Sequence, residues 1–244
     1  MKAAERIART IAGELLDGLY PEGAMLPNEA EMSQRYAVGR STVREALRIL
    51  EGWGAVRMKQ GRNGGPVATR PDTRSIGLHL GVVMQFEGVS LGDIFETRRV
   101  LDTMVAGLAA TAMSDDEVLA LGQTIQGMSE HIDDIEQYVI HNDRFYEILT
   151  AASGNRSLQI LIGAIQSSTA GLMFAVGVTR EWRVQSVALR SALFRAIASR
   201  DAAEAERCMD LYRSTLQAWW AEHYANETSR PIDVIGWRDD PPLP

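Results

Sequence analysis

Residues Leu26 to Gly61 read LPNEAEMSQRYAVGRSTVREALRILEGWGAVRMKQG, and this stretch decides the fold of the first part of the chain. The Asn28 side chain can accept hydrogen bonds from the first free amides of a helix, and Glu31 can reach back to the Asn28 amide to complete a capping box. A short helix is therefore predicted to begin at Asn28. A second helix is predicted to begin between Gly39 and Ser41, because apolar side chains repeat along one of its faces. That face comprises Val43, Ala46, Leu47 and Leu50.

The other face of the second helix is cationic, with arginine at every fourth position: Arg40, Arg44 and Arg48. Gly52 and Gly54 are predicted to end the helix. Residues 56–60 then alternate between apolar and polar, and a glycine-rich turn at residues 61–65 leads into a proline and a valine. This pattern predicts a small hairpin with a basic outer side. Two short helices followed by such a hairpin predict a winged helix-turn-helix.

Positive charge is concentrated in this part of the chain. Residues 35–62 contain seven Lys or Arg against two acidic residues, a local balance of +5, whereas the whole chain carries −7. Most arginine stripes are only solvated helix faces, but segregated positive charge of this size favours the DNA backbone through counterion release. Residues 1–70 carry +3 and residues 71–244 carry −10. The sequence therefore predicts a basic DNA-binding module joined to an acidic module with a different task.

Several motifs resemble the DNA-binding domain of GntR-type bacterial repressors. They are Tyr20-Pro-Glu-Gly23, Leu26-Pro27, Arg40-Ser-Thr-Val-Arg-Glu-Ala-Leu47 and Gln60-Gly61. The resemblance implies that Arg40 and Arg44 contact base edges in the major groove, with guanine as the expected partner. It also implies that the hydroxyls beside them contact phosphate and that the wing tip approaches the minor groove. The candidate DNA-contacting residues are Arg35, Arg40, Ser41, Thr42, Arg44, Arg48, Gln60, Gly61 and Arg62.

Two positions depart from that pattern. Ala30 occupies a place where relatives often carry arginine, and Gly39 stands where a serine or threonine is usual. Gly39 can still cap a helix, although a phosphate contact is lost. These departures leave an alternative open, a helical interaction or metabolite-binding protein whose DNA binding is weakened.

The remainder of the chain has the pattern of a helical bundle. The 244 residues are 45% hydrophobic and 23% charged, which is ordinary for a globular chain of one or two domains. After Pro71, helices without strand-like alternation are predicted, so the fold class is mostly α, with a winged helix-turn-helix followed by an antiparallel bundle. The predicted helices of the bundle are Leu91 to Met113, Asp115 to His131, Ile135 to Ala152, Ser157 to Val176, Glu181 to Ser199 and Ala202 to Tyr224. The expected domains are residues 1–70, a linker with a short helix at 71–90, the bundle at 91–225 and an irregular tail at 226–244.

The second part resembles the FadR-type effector domain, known as FCD. The resemblance rests on Asp93-Ile-Phe-Glu96-Thr-Arg98, Arg144-Phe-Tyr146, Ala152-Ser-Gly-Asn155 and Ala196-Ile197 with Asp201 and Ala205. Many members of that branch hold a metal through one aspartate and three histidines, and the matched motifs place Asn142, Tyr146, Arg190 and Tyr212 at those four positions. An amide, two phenols and a guanidinium are poor zinc ligands at neutral pH. The sequence therefore predicts no metal and no other cofactor.

The same positions suggest what replaces the metal. Together with Arg98, the residues Asn142, Tyr146, Arg190 and Tyr212 would converge on one site rich in guanidinium and phenol groups. Such a site suits a carboxylate or phosphate, so an anionic metabolite, an organic acid or a fatty acyl-CoA, is the expected effector. The alternative is that both arginines only pair with acids of the bundle such as Glu96 or Asp102.

The resemblance also implies how the two parts work together. A homodimer would place two recognition helices on a palindromic operator, and ligand binding in the bundle would change their separation. The aromatic residues Trp219, Trp220 and Tyr224 could pack inside the bundle or against a partner subunit, with packing inside the bundle preferred.

Other classes of protein lack support in the sequence. No Ser-His-Asp arrangement, Cys-His pairing or HExxH motif is recognisable, so an enzyme is not expected. The first residues lack the apolar run of a signal peptide, and no apolar stretch reaches the roughly 20 residues that span a bilayer. A cytoplasmic protein without a membrane partner is therefore expected. Cys208 is the only cysteine, which excludes an internal disulfide.

Overall fold

The computed structural model describes residues 2–61, 64–176 and 179–234, excluding the side chains of residue 74 and residues 170–176. The chain forms two compact units, Met1–Ile76 and Gly77–Pro244. The first is a winged helix-turn-helix and the second is all-helical, which confirms the predicted fold class. Among the described residues, no helix is long and apolar enough to cross a membrane.

The first unit contains three helices and a two-stranded hairpin. They are α1 (Ala3–Leu16), α2 (Glu29–Arg35), α3 (Arg40–Gly52), β1 (Val56–Lys59) and β2 (Gly65–Ala68). The predicted capping box is present, because the Asn28 side chain accepts from the amides of Ala30 and Glu31 at 3.0 and 3.1 Å while Glu31 accepts from the Asn28 amide. The apolar face predicted for α3 is buried, and it packs against α1. The opposite, cationic face of α3 is thereby left exposed.

The hairpin forms the wing. Its strands are antiparallel, with Val56 opposite Ala68 and Lys59 opposite Gly65. The turn is too tight for a side chain at Gly64, where a Cβ atom would lie 2.2 Å from the Lys59 carbonyl oxygen. Gly61 has a φ of +107°, a conformation that glycine adopts most readily. Backbone geometry therefore explains why the wing tip is rich in glycine.

The second unit is a bundle of long helices. They are α4 (Thr73–Phe86), which begins at the end of the first unit, α5 (Leu91–Ala112), α6 (Asp115–Glu130), α7 (Ile135–Ala152), α8 (Arg156–Val176), α9 (Arg180–Ala198), α10 (Ala202–His223) and the short α11 (Ala225–Ser229). The capping patterns noted in the sequence form, because Ser114 and Glu117 bond each other's backbone amides at the start of α6. Helix α10 packs along α5 and α9, and α7 packs against α5, α6 and α8. Side chains from α5, α7, α9 and α10 consequently meet inside the bundle.

The late aromatic residues pack within this unit. Trp220 is buried, and its ring lies 5.6 Å from that of Phe95 between centroids. Trp219 lies against Trp182 at 5.4 Å. These contacts agree with packing inside the bundle. They join α10 to α5 through Phe95 and to α9 through Trp182.

The expectation of an irregular tail at residues 226–244 is wrong for its first part. Residues Ala225–Ser229 form α11, and the Ile232 side chain is buried in the core of the bundle. The Ile232 amide donates to the carbonyl of Val89 at 3.0 Å, and Ser90 pairs with Pro231 in an isolated bridge. One buried isoleucine and a backbone bond order a segment whose local composition favours a coil. Residues 235–244 lie outside the described residues.

Candidate DNA interface and buried arginine cluster

The exposed side of α3 is the candidate DNA interface. Arg40, Ser41, Arg44 and Arg48 are exposed and Thr42 is half-buried, whereas the apolar side chains of α3 face the core of the first unit. The N-cap is Gly39, which supplies no side-chain hydrogen bond to the helix. The amides at the start of α3 are therefore available to a phosphate oxygen, together with the neighbouring hydroxyls.

Arg44 is held in place by the preceding helix. Its Nε atom donates to the Glu29 Oε2 atom at 2.8 Å, and Glu29 is the first residue of α2. Exposed ion pairs of this kind add little stability, but this one limits the orientations of the Arg44 guanidinium. Arg48 makes a looser contact of 3.7 Å with Glu45 on its own helix.

Arg35 has a role within the first unit. Its Nη1 atom donates to the Tyr20 hydroxyl at 2.6 Å, and its Nη2 atom donates to the Glu14 carboxylate at 2.8 Å. Tyr36 donates to the same carboxylate at 3.0 Å. Burial and this hydrogen bond to Glu14 raise the pKa of Tyr36 to about 12, so the phenol remains a donor at neutral pH. Arg35 therefore braces α2 against α1.

Two further candidate DNA contacts lie at the wing. Gln60 and Gly61 are exposed at the end of β1. Arg62 lies outside the described residues.

A second cluster lies inside the bundle, around the buried side chain of Arg190 on α9. Its Nη2 atom donates to the Asn142 Oδ1 atom of α7 and to the Tyr212 hydroxyl of α10, both at 2.7 Å. Its Nη1 atom donates to the Ser186 hydroxyl at 2.8 Å and lies 3.3 Å from the Tyr138 hydroxyl. All these acceptors are neutral oxygens, so the guanidinium is fixed without a carboxylate partner among the described residues.

Two more buried arginines share one buried carboxylate. Arg98 contacts Asp102 through its Nε and Nη2 atoms at 3.1 to 3.2 Å, one helical turn along α5. Arg213 of α10 contacts the same carboxylate. Asp102 is therefore a bridge between α5 and α10 as well as the partner of Arg98.

The Tyr146 ring joins the two groups of charges. The guanidinium carbons of Arg213, Arg98 and Arg190 lie 5.0, 5.2 and 5.5 Å from its centroid. The Tyr212 ring also lies against Arg190 and Arg213, at 4.7 and 5.5 Å. These distances are in the range of cation–π attraction, which is strengthened by burial. The aromatic rings thus provide part of the stabilisation that carboxylates would otherwise provide.

The charges in this cluster are not balanced. Within the described part of the chain, the buried charged side chains are Arg98, Asp102, Arg190 and Arg213, so three guanidiniums are accompanied by one carboxylate. Burial lowers the pKa of Arg190, but the oxygens of Tyr212 and Tyr146 raise it by more, so the net shift is upward. Burial likewise lowers the pKa of Arg213 while Asp102 raises it, again with a net rise. Both arginines therefore stay charged, and two positive charges remain in excess.

This excess acts on the two tyrosines differently. Burial raises the pKa of Tyr146, but Arg213 and Arg190 lower it by more, so the net shift is downward. For Tyr212, burial outweighs the effect of Arg190 and the pKa is raised. The Tyr146 hydroxyl thus loses its proton more easily than the Tyr212 hydroxyl.

The sequence-predicted effector residues come together in this cluster. Asn142, Tyr146 and Tyr212 all contact Arg190. Arg98 pairs with Asp102, as the alternative interpretation held, and it also faces the Tyr146 ring. No group of three or more metal-ligating side chains occurs among the described residues.

Sequence reasoning missed Arg213. It lies on the buried stripe of α10, four residues after Met209 and three before Leu216, where an apolar side chain is expected. An arginine within an otherwise apolar stripe of a helix is the sequence signal that could have identified Arg213 as a buried residue of the cluster. Ser186 was missed for a similar reason, since a serine within a helix gives no indication that it accepts from Arg190.

Comparisons with known proteins agree with the two units. The model of the family described as bacterial regulatory proteins, gntR family, matches residues 3–63, and the FCD domain model matches residues 93–214. The chain is 24% identical over 224 residues to the transcriptional repressor NanR of Klebsiella aerogenes, covering 90% of this chain and 85% of that one. It is 25% identical over 211 residues to the galactonate operon transcriptional repressor of Escherichia coli, covering 85% and 92%.

A solved structure shares the fold. The Streptococcus agalactiae GntR structure superposes with a TM-score of 0.70 at 23% identity, covering 88% of this chain and 99% of that one. The chain therefore belongs to the GntR family, in the branch that carries an FCD domain. It is a DNA-binding transcriptional regulator, and its family and relatives are regulators and not enzymes.

The shared carboxylate gives a prediction about stability. Asp102→Asn leaves three buried guanidiniums without a carboxylate, so we expect the free energy of unfolding to fall by about 3–5 kcal/mol. Denaturant unfolding followed by circular dichroism measures this loss. The matched control is Asp210→Asn, which breaks the exposed Arg99–Asp210 pair between the same two helices and should change stability far less. Equal effects of the two substitutions would contradict the importance of the buried pair.

The opposite shifts of the two phenols give a second prediction. In a spectrophotometric titration of the native protein at alkaline pH, Tyr146 should ionise before Tyr212, because the pKa of the first is lowered and that of the second is raised. Tyr146→Phe should remove an early part of the titration curve, whereas Tyr212→Phe should remove a later part. Loss of the early part in both variants or in neither would argue against the effect of the guanidiniums on Tyr146.

Proposed function

We propose that this regulator is a repressor that binds a palindromic operator as a homodimer and responds to a small anionic metabolite bound in its helical unit. The observation that carries the proposal is the excess of positive charge buried around Tyr146. A buried cation without a counterion is costly, and an anion that binds there is stabilised by every guanidinium it contacts. The relatives named above are repressors, which supports the sign of regulation.

On the DNA side, Arg40 and Arg44 would contact base edges and Ser41 and Thr42 would contact phosphate. Their exposure on α3 supports these roles. The ion pair with Glu29 would present the Arg44 guanidinium to a base before DNA arrives, which reduces the side-chain entropy lost on binding. Arg48 would contact the backbone, and the wing residues Gln60, Gly61 and Arg62 would approach the minor groove.

A homodimer is supported by an exposed apolar stripe on α5. Val100, Met104 and Leu108 lie at successive four-residue steps and are all exposed, and Leu211 is exposed on α10, which packs beside α5. An apolar patch of this kind is typical of a subunit interface. A twofold axis across the stripe would bring each patch against its own copy, and it would give the pair of recognition helices the symmetry of a palindrome.

The alternative, a metabolite-binding protein with weakened DNA binding, is motivated by Ala30 and Gly39, the two departures from the family pattern. Salt-dependent gel shifts on genomic fragments, including the promoter region of its own gene, separate the two. A repressor binds a few fragments saturably and selectively. A protein with weakened DNA binding shows only weak, unselective retention that salt abolishes.

The proposed contacts on α3 predict distinct effects on DNA affinity. Arg44→Ala should weaken operator binding by about 1–3 kcal/mol, roughly five- to 150-fold in Kd, and relax base preference at one position of each half-site. Arg48→Ala should weaken binding to all sequences alike and lower the salt slope by about one. Fluorescence anisotropy on the selected fragment and on single-base variants measures both.

Arg156→Ala is the matched control for these variants. It removes an exposed arginine from α8 in the helical unit, so the charge change is the same while operator affinity should stay constant. A loss of affinity equal to that of Arg44→Ala would mean that net charge, and not a base contact, explains the effect.

The apolar stripe predicts a loss of the dimer. Val100→Glu, at a side chain 69% exposed, should convert the dimer to a monomer in light scattering because the carboxylate would be buried against its own copy. Leu119→Glu changes a similar side chain, 64% exposed on α6, and should leave the dimer intact. Retention of the dimer in Val100→Glu would place the interface elsewhere.

A further inference from the structure

The number of charges in the buried cluster indicates the number of charges on its ligand. Arg98 and Asp102 form a pair that is neutral overall, and the remaining guanidiniums of Arg190 and Arg213 have no carboxylate of their own among the described residues. One monovalent anion would leave half of this excess uncompensated. Two negative charges would balance it.

Unused hydrogen-bond donors also indicate a ligand at the cluster. The Nε atoms of Arg190 and Arg213 are fully buried and donate to no acceptor within the described part of the chain. A buried N–H group of a guanidinium that lacks an acceptor is rare and costly. Each of the two excess cations therefore has at least one unused donor, its Nε–H group, and an oxygen of a ligand is the acceptor that fits it best.

Two aromatic rings connect the two excess cations. Both guanidiniums lie against the same two rings, at 5.5 and 5.0 Å from the Tyr146 centroid and at 4.7 and 5.5 Å from that of Tyr212. Burial lowers the pKa of Arg213 and the charge of Arg190 also lowers it, although Asp102 and the two tyrosines keep the net shift upward. Because both contact the Tyr212 ring, the two guanidinium carbons are at most about 10 Å apart, so a ligand that serves both can be small.

The cluster is also held rigidly before any ligand arrives. Arg190 donates to oxygens from α7, α9 and α10, and Arg213 is tied to Asp102 of α5. Little side-chain entropy remains to be lost when an anion binds. The fixed positions of the guanidiniums therefore favour a ligand whose charges have a matching separation. Flexible surface lysines would not select a ligand in this way.

We infer that the effector is a compact dianion, a short dicarboxylate or a phosphate, bound by Arg190 and Arg213 across the Tyr146 and Tyr212 rings. This inference rests on the proposed function and narrows its ligand class. A dicarboxylate and a phosphate share the chemistry that the site recognises, namely two negative charges on oxygens a short distance apart. Asn142 and the tyrosine hydroxyls would set the orientation of the ligand through neutral hydrogen bonds.

The test is calorimetric titration of the full chain with matched probes at pH about 8, where carboxylates are ionised, and at constant ionic strength. Succinate and malonate are the dicarboxylates, inorganic phosphate is the second dianion, and butyrate is the monoanion of the same chain length as succinate. The best dianion should bind at least about tenfold more tightly than butyrate, a ratio equivalent to 1.4 kcal/mol. Which dianion binds best distinguishes a carboxylate source from a phosphate source.

Variants that alter one charge at a time extend the test. Arg213→Gln reduces the excess to one positive charge, so the dianion should lose at least about tenfold in affinity while butyrate changes little, and the preference should disappear. Arg213→Lys retains the charge and should retain much of the preference. The matched control is Arg207→Gln, which removes an exposed arginine of the same helix that pairs with Glu204 and should leave all affinities unchanged.

These measurements can reject the dianion without rejecting an anion site in the bundle. Equal binding of butyrate and succinate, both weakened by Arg190→Gln, would overturn the dianion while leaving an anion site at the cluster. Dianion binding that survives both Arg213→Gln and Arg190→Gln would place the ligand on another surface and overturn the inference and the effector site together. Absence of binding by every probe would also overturn both. If Arg213→Gln fails to fold, the ratio of succinate to butyrate affinity in the unmodified protein decides the matter.

Discussion

The helical unit depends on how it tolerates a buried cation that has no carboxylate of its own. Arg190 is surrounded by an amide, hydroxyls and aromatic rings from three helices, and these groups offset part of the cost of removing its charge from water. Neutral acceptors cannot neutralise the charge. The bundle therefore keeps an uncompensated positive charge in its interior, and the proposed ligand control of the regulator would rest on this property.

The two units use arginine in opposite ways. In the winged helix-turn-helix, Arg35 forms hydrogen bonds with Glu14 and Tyr20, and Arg44 is oriented by Glu29 at the protein surface. Water screens these charges, so their value lies in geometry more than in stability. In the bundle, Arg190 and Arg213 are shielded from water. In that environment of low dielectric constant, a charge without a partner costs much more free energy than at the surface. In the first unit, the arginines thus act through the positions of their guanidinium groups. In the bundle, their buried charges require compensation by an opposite charge.

Much of the fold could be predicted because its signals are local. The helix predicted at Ile135 to Ala152 has those limits in the structure, and the capping boxes at Asn28 and Ser114 form as expected, since each depends on residues within one helical turn. The tail was misjudged because its order comes from Ile232 and a backbone bond to Val89, which lie far apart in the sequence. Asn142, Tyr146, Arg190 and Tyr212 were brought together only by resemblance to a family, whereas Arg213 was not found at all.

The sequence by itself determined the class of the protein, through motifs that resemble a family, the bounds of the long helices α5 to α10 to within one residue, and the segregation of charge between an arginine-rich α3 and an acidic bundle. Those features are carried by neighbouring residues and by composition. Only the tertiary structure decided which charges are paired, because pairing depends on distances between helices. Asp102 serves both Arg98 and Arg213 while Arg190 has neutral partners alone, and the electrostatic character of the site follows from that difference in burial and contact.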